Sequence, residues 1–162
     1  MMPDSFIIRE ATAADIPKLA QLHVITWAAT YPMVKTPPTF EIREWQWKEQ
    51  FKKNDDNWFC YVMEDDNGEL VGFTKGIVEK HGGDLNKIYL LKAYHKQGLG
   101  KLLLQQTVDR FISMGVNNMW VVAEPSNPTC AFYEKMGGVR KEDTDPGVAV
   151  YVWRNLKTTF KV

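Results

Sequence analysis

The stretch that decides the fold runs from residue 90 to residue 104 and reads Leu-Leu-Lys-Ala-Tyr-His-Lys-Gln-Gly-Leu-Gly-Lys-Leu-Leu-Leu. It combines the end of an apolar strand, a polar loop with two glycines, and the start of a helix. Gly98 and Gly100 let the backbone approach a ligand closely. The unpaired amides of the first helical turn and the positive end of the helix dipole favour phosphate. The pattern therefore predicts an anion-binding loop between a strand and a helix.

Two common phosphate-binding patterns do not fit this loop. The Walker A spacing, Gly-x-x-x-x-Gly-Lys-Ser/Thr, is absent, and so is the Gly-x-Gly-x-x-Gly pattern of dinucleotide-binding proteins. A tight turn before a helix would also account for Gly98 and Gly100 without any ligand. The other segments of the chain therefore have to decide between the two interpretations.

The segments around the loop predict a chain of mixed α/β class. Alternating apolar residues predict strands, residues spaced by three and four predict helices, and the Asn67-Gly68 pair predicts a hairpin turn. Asn127 and Pro128 suit the cap and first position of a short helix. The order predicts a central, mixed and mostly antiparallel sheet of about six or seven strands with about four helices. The strands are expected at 5–10, 58–64, 70–79, 85–91, 116–123 and 148–153, and the longer helices at about 12–31, 40–53 and 98–114.

Composition limits the classes of function. The 162 residues include 44% apolar side chains, which suits a single domain spanning 1–162. Lysine plus arginine and aspartate plus glutamate each number 20, so no bulk field favours nucleic acid or an anionic membrane. No long apolar segment or leader is evident, which predicts a cytoplasmic protein. Three histidines and two cysteines show no ligand spacing, so no metal site is expected.

The glycine loop resembles the acetyl-CoA loop of the GNAT superfamily of N-acetyltransferases, whose usual form is Gln/Arg-x-x-Gly-x-Gly/Ala. The run 88–91, Ile-Tyr-Leu-Leu, resembles the strand before that loop, while His95 departs from the family at the glutamine or arginine position. The resemblance implies a GNAT-like acyl-CoA N-acyltransferase fold with acetyl-CoA as co-substrate. It also implies that this segment binds the co-substrate, through Leu90, Leu91, Lys92, His95, Gln97, Gly98, Leu99, Gly100 and Lys101.

A second resemblance covers residues 127–138, which are similar to the family's block of an asparagine, Phe-Tyr-Glu-Lys and glycine. The spacing is one residue short of the commonest form, which would put Ser126 instead of Asn127 in the asparagine position. The block implies that Asn127 contacts the pantetheine arm and that Tyr133 lies near the sulfur. Residues 9–16 resemble the family's opening, so the similarity covers nearly the whole chain.

Acetyl transfer from a thioester to an amine needs a neutral nitrogen, a stabilised oxyanion and a proton for the thiolate. Tyr133 is the predicted general acid, since a tyrosine with an ordinary pKa of about 10 is protonated at neutral pH; a core tyrosine is the alternative. Backbone amides around Leu91 are expected to polarise the thioester carbonyl. The base is left open among Glu79, Asp84 and Glu124, each of which could equally be a surface carboxylate.

The acceptor is expected between the first two helices. Trp27 and Tyr31, with Trp45 and Trp47, could surround a cationic amine beside Glu41 or Glu44, although core packing also explains these aromatics. The resemblance to enzymes that acetylate small amines implies a small-molecule acceptor such as a polyamine. The resemblance to the family also implies a possible homodimer. A non-catalytic acyl-CoA sensor and a protein or peptide N-terminal acetyltransferase are the alternatives.

Overall fold

The computed structural model describes residues 5–142 and 144–162. Short 3-10 turns precede the first helix and follow the fourth strand. Among these residues, none of the helices is long and apolar enough to cross a membrane. The elements in chain order are β1 (Ile7–Glu10), α1 (Ile16–Thr30), α2 (Phe40–Lys52), β2 (Trp58–Glu64), β3 (Leu70–Glu79), β4 (Gly82–Leu90), α3 (Leu99–Ser113), β5 (Met119–Ala123), α4 (Cys130–Lys135), β6 (Val139–Arg140), β7 (Ala149–Trp153) and α5 (Leu156–Thr159).

The described strands form one seven-stranded sheet in the order β1-β2-β3-β4-β5-β7-β6. Every neighbouring pair is antiparallel except β4 and β5, which run parallel because α3 carries the chain across between them. The predicted mixed, mostly antiparallel sheet is confirmed.

The one parallel pair is short, and the sheet forks there. β4 and β5 pair only at Gly83 with Met119 and at Asp84 with Trp120. Beyond Asp84, β4 continues to Leu90 on β3 alone, while β5 continues on β7 alone. The backbone edges of the two strands therefore face a gap at the centre of the sheet.

Helices cover both faces of the sheet. α1 and α2 pack on one face, around Leu19, Trp47 and Phe73. α3, α4 and α5 pack on the other, where Phe111, Tyr133 and Trp153 belong to one buried cluster. α1 buries Ile16, Leu19, Ala20 and His23. The gap therefore lies between two helix layers, with α1 and α2 on one face of the sheet and α3, α4 and α5 on the other.

Several predicted boundaries differ from those observed. The fourth strand was expected at 85–91, but β4 begins at Gly82, which pairs with Glu79 of β3. The short helix begins at Cys130 with Thr129 as its cap, so the prediction that Asn127 caps it is wrong. The two-residue β6 and four-residue α5 were not predicted, since segments this short carry no periodicity.

Candidate active site

The glycine loop has the geometry of an anion site. Gly98 is the residue before α3 and adopts φ 81°, which favours glycine, and Lys96 adopts φ 62°. A side chain added at Gly98 would meet nothing within 4 Å, so the backbone there is open to a ligand. The first amides of the 15-residue helix α3 have no acceptor within the helix. The loop therefore presents several N–H donors to one open space.

The side chains of the loop take different roles. Lys92, Lys96 and Lys101 are exposed around the start of α3 and add positive charge there. Leu99 is completely buried against Met63 and Leu103, so only its backbone can reach a ligand. Positive side chains and helix amides together favour a polyanionic ligand such as a pyrophosphate.

His95 and Gln97 stabilise the loop in the structure. His95 donates from Nε2 to the carbonyl oxygen of Leu90 at 2.8 Å, because a carbonyl can only accept. Gln97 donates from Nε2 to the carbonyl oxygen of Ala93 at 3.3 Å. The histidine that departs from the family pattern thus ties the loop to the end of β4.

The edge of β4 supplies donors to the gap, but not at the residue that was predicted. The amide of Leu91 donates to the carbonyl oxygen of Val71 at 2.9 Å, so it is already occupied on the β3 side. Backbone groups alternate in direction along a strand. The amides of Ile88 and Leu90 therefore point into the gap, and they replace Leu91 as the candidate donors.

Tyr133 lies in α4 and interacts electrostatically with Tyr89 of β4, one of the two strands that border the gap. It is 4% exposed and packs against Tyr151 and Trp153, with ring centroids at 5.8 and 6.2 Å. Burial, with the nearby hydroxyls of Tyr89 and Tyr31, raises the pKa of Tyr133 above its ordinary value. Its hydroxyl has no hydrogen-bonding partner among residues 5–142 and 144–162. Tyr133 is thus a protonated donor with a free hydroxyl.

A hydrogen bond joins the end of α1 to the turn before α4. Asn127 is 7% exposed and donates from Nδ2 to the hydroxyl oxygen of Tyr31 at 3.1 Å. Its Oδ1 accepts from the amide of Thr129 at 2.8 Å, which fixes the turn before α4. The ring of Tyr31 packs against Trp27, the other aromatic predicted to contact the acceptor, with centroids 4.9 Å apart and planes tilted by 47°. The structure therefore brings Tyr31, Trp27 and Asn127 together.

The carboxylates predicted as bases lie at different places. Asp84 is the last β4 residue paired to β5, on the α1/α2 face, and burial raises its pKa. Glu79 is exposed at the end of β3, and its charge also raises the pKa of Asp84. Glu124 is exposed after β5, where its charge acts on Tyr31. Asp84 alone among the three is half-buried at the fork.

Two of the tryptophans predicted to surround the acceptor lie elsewhere. Trp45 is 62% exposed on the outer face of α2, and Trp47 is 2% exposed in the core, donating from Nε1 to Nδ1 of His23 at 3.1 Å. Glu44 pairs with Lys48, and Glu41 is exposed. His23 is therefore a packed core residue, and burial with nearby cations lowers its pKa to about 2.

Sequence reasoning missed three cations on the α1/α2 face. Arg43 lies in α2, while Lys75 and Lys87 lie directly opposite each other on β3 and β4. The charge-rich sequence of α2 does not show which residue points inward. The only signal was the placing of Lys75 within the largely apolar run 70–78. No group of His, Cys, Asp and Glu that could hold a metal ion occurs in the described part of the chain.

A sequence model of the acetyltransferase (GNAT) family matches residues 19–138. The chain belongs to this family. Membership confirms the predicted acetyltransferase and its predicted co-substrate, acetyl-CoA. The uncharacterized N-acetyltransferase YuaI of Bacillus subtilis is 28% identical over 137 residues, covering 78% of this chain and 76% of its own. The ribosomal protein bS18-alanine N-acetyltransferase of Escherichia coli is 29% identical over 93 residues, covering 56% and 63%.

Solved structures share the GNAT fold at low sequence identity. The PaiA N-acetyltransferase of Thermoplasma acidophilum, in complex with coenzyme A, superposes with a TM-score of 0.80 at 20% identity, covering 91% of this chain and 98% of its own. The spermidine N-acetyltransferase of Vibrio cholerae, in complex with CoA and spermine, gives a TM-score of 0.72 at 14% identity, covering 98% and 99%. These likenesses confirm the predicted fold.

Proposed function

We propose that this chain transfers the acetyl group of acetyl-CoA to a primary amine of a small molecule, within a single domain. The observation that carries the proposal is the fork between β4 and β5, with the glycine loop at one end and Tyr133 beside it. The gap joins the two helix layers, so a donor and an acceptor could approach it from opposite faces. Two substrates that react directly need such an arrangement.

The donor is proposed to bind along the open edge of β4. The amides at the start of α3, with Lys92, Lys96 and Lys101, suit its phosphates. The amides of Ile88 and Leu90 suit the polar groups of the pantetheine arm and the thioester carbonyl. Asn127 is placed to support the same arm through the turn before α4. These assignments use backbone donors for most contacts, which is why His95 can replace the family's usual residue.

Tyr133 is proposed as the general acid. The amine nitrogen attacks the thioester carbon, the oxyanion is stabilised by an amide of β4, and the carbon–sulfur bond then breaks. The departing thiolate takes its proton from the hydroxyl of Tyr133. The raised pKa keeps that hydroxyl protonated at neutral pH, and the absence of a partner leaves it free to donate.

Asp84 is proposed as the group that accepts the amine's proton, directly or through water. It lies on the α1/α2 face at the closed end of the gap, and burial raises the pKa of its carboxyl. A carboxylate with a raised pKa is a better base than an ordinary one. Glu79 is exposed and more distant from the gap, so we assign it an electrostatic role through Asp84.

The relatives suggest acceptors to be screened. The Vibrio enzyme of similar fold is named for spermidine, and the Escherichia coli relative is named for an N-terminal alanine. Polyamines are therefore tested first, other small amines second, and peptides with a free N-terminus last. Trp27 and Tyr31, whose rings pack against each other at a tilt of 47°, are the proposed aromatic contacts for any of these acceptors.

Two measurements test the proposal. Calorimetric titration with acetyl-CoA, with ATP and NAD as controls, should show saturable binding of acetyl-CoA alone. Thiol release from acetyl-CoA should then depend on an added amine. Binding without release for every amine would favour a non-catalytic acyl-CoA sensor. No binding at millimolar acetyl-CoA would contradict the proposed transferase.

A further inference from the structure

Arg43 is a buried cation that has no carboxylate partner among residues 5–142 and 144–162. It is 8% exposed, its Nε has no hydrogen-bonding partner among the described residues, and its Nη1 donates to Oε1 of Gln46 at 2.9 Å. Its guanidinium carbon lies 5.6 Å from the centre of the Trp27 ring. A buried guanidinium usually pairs with an anion, because removing it from water is costly.

Two lysines add positive charge to the same face. Lys75 is 8% exposed, donates from Nζ to Oε1 of Gln50 at 2.7 Å, and lies 5.7 Å from the centre of the Trp47 ring. Lys87 is half-buried directly opposite it on β4. Like charges directly opposite each other on neighbouring strands are destabilising. The described part of the chain offers no ion pair to Arg43, Lys75 or Lys87.

These cations border the proposed acceptor site. Arg43 contacts Trp27, and its charge acts on Tyr89, the β4 residue that also acts on Tyr133. Lys87 lies two residues before Tyr89 on the same face, and its charge acts on Asp84. The acceptor face therefore combines one half-buried carboxylate with three cations that form no ion pair within the part of the chain that the structure describes. A polyamine would add positive charge to this face, whereas an anionic group on the acceptor would pair with its cations.

We propose that the acceptor amine also carries an anionic oxygen group, a carboxylate or a phosphate, which is bound by Arg43 with Lys87. The planar guanidinium can donate two parallel hydrogen bonds to such a group. The amine of the same molecule would then face the gap near Asp84. This inference rests on the proposed acetyl transfer and specifies its acceptor.

The acceptor screen that tests it uses matched pairs. L-leucine, L-methionine and L-phenylalanine are each compared with their carboxamides, O-phosphoethanolamine with ethanolamine, and spermidine stands alone. The anionic member of at least one pair should have a kcat/KM about 10- to 100-fold higher, as expected for a charge-assisted contact. The amine of a carboxamide is less basic than that of the acid, so intrinsic reactivity works against this result. The pair that responds distinguishes carboxylate from phosphate.

Variants of the cations provide the second arm. Arg43→Met should raise KM for the preferred anionic amine at least tenfold and remove its advantage over the neutral analogue, and Lys87→Gln should do so to a smaller degree. Lys48→Met, on the exposed side of the same helix, is the matched control and should change neither. The melting temperature of Arg43→Met should not fall, because an unpaired buried charge is removed. Acetyl-CoA binding by calorimetry should be unchanged in all three.

The outcomes separate this inference from the proposed activity. If spermidine or the neutral analogues are the better acceptors and Arg43→Met leaves KM unchanged, the anionic acceptor is wrong while the transferase stands. If no amine is acetylated, calorimetry measures whether the same amines bind to protein saturated with CoA. Binding of an anionic amine that is lost in Arg43→Met supports the anion site alone, and no such binding overturns it. A collapse of the fold in Arg43→Met would contradict the inference and assign the residue a structural role.

Discussion

Asn127 donates a hydrogen bond to the hydroxyl of Tyr31 over 3.1 Å, so the turn before α4 is bound directly to the end of α1. The two residues are 96 positions apart in the chain and belong to opposite helix layers. Their contact links α1, which packs on one face of the sheet, to the turn before α4, which packs on the other. The bond therefore holds the proposed donor side and the proposed acceptor side in a fixed relation.

Removing this bond should lower both stability and donor binding. Asn127→Ala loses the bonds to Tyr31 and to the amide of Thr129, and should reduce the free energy of unfolding by about 1–3 kcal/mol. It should also raise KM for acetyl-CoA, because the turn before α4 loosens. Urea unfolding and steady-state kinetics measure the two effects. Asn54→Ala, at an exposed position outside helices and strands, is the control. Equal kinetics for both variants would contradict the proposed role of Asn127.

Charge at the glycine loop should abolish donor binding. Gly98→Glu and Gly100→Glu each place a carboxylate beside the amides that are proposed to bind phosphate, so calorimetry should detect no binding of acetyl-CoA. Gly68→Glu is the matched control, since Gly68 also has a positive φ, 77°, and open space around it, but lies in the β2–β3 turn. It should suffer the same backbone strain, about 1 kcal/mol, and keep its affinity. Undiminished binding by Gly98→Glu would rule out the loop as the phosphate site.

The donor side could be predicted from sequence because its signals are local. The strand, Gly98, Gly100 and the helix follow one another within 15 residues, and Tyr133 lies in a short recognisable block. The direction in which a strand amide points depends on the neighbouring strand. The amide of Leu91 was assigned to the gap, although it donates to the carbonyl oxygen of Val71 in β3. Only the pairing of β4 shows which amides remain free.

The acceptor side could not be predicted because it is assembled from distant segments. Arg43 comes from α2, Lys75 from β3 and Lys87 from β4, and the sequence does not show that these three charges lie on one face. Trp45 and Trp47 are two residues apart on one helix and therefore point in different directions, one to solvent and one to the core. Aromatic composition alone could not tell them apart.

Tyr133→Phe should separate catalysis from stability. Loss of the general acid should lower kcat by about 10²- to 10⁴-fold. The free energy of unfolding should change by less than about 0.5 kcal/mol, because the hydroxyl has no partner among the described residues. Tyr61→Phe, on β2, is the control and should keep its kcat, although it loses a hydrogen bond from Arg110. Ionisation of Tyr133 should not lower the kcat of the wild type at any pH below 10, because the pKa of its hydroxyl is raised. Unchanged turnover in Tyr133→Phe would refute the assignment.

His23 should make the fold sensitive to acid. Burial, aided by the charges of Arg43, Lys87 and Lys75, lowers its pKa to about 2 in the folded chain, against about 6.5 when exposed. Between these values the unfolded chain binds a proton that the folded chain does not. The contribution of His23 to stability is therefore complete above pH 6.5 and is lost progressively as the pH falls toward 2.

The matched variant for this effect is His23→Gln, whose amide oxygen can still accept from the Nε1 of Trp47 but cannot titrate. Between pH 6.5 and 5 the wild type should lose up to about 2 kcal/mol more unfolding free energy than this variant, as measured by urea titration. His81→Gln, at an exposed histidine, should follow the wild type. Parallel curves for wild type and His23→Gln would mean that His23 accepts a proton without unfolding, and that the cations around it do not exclude charge.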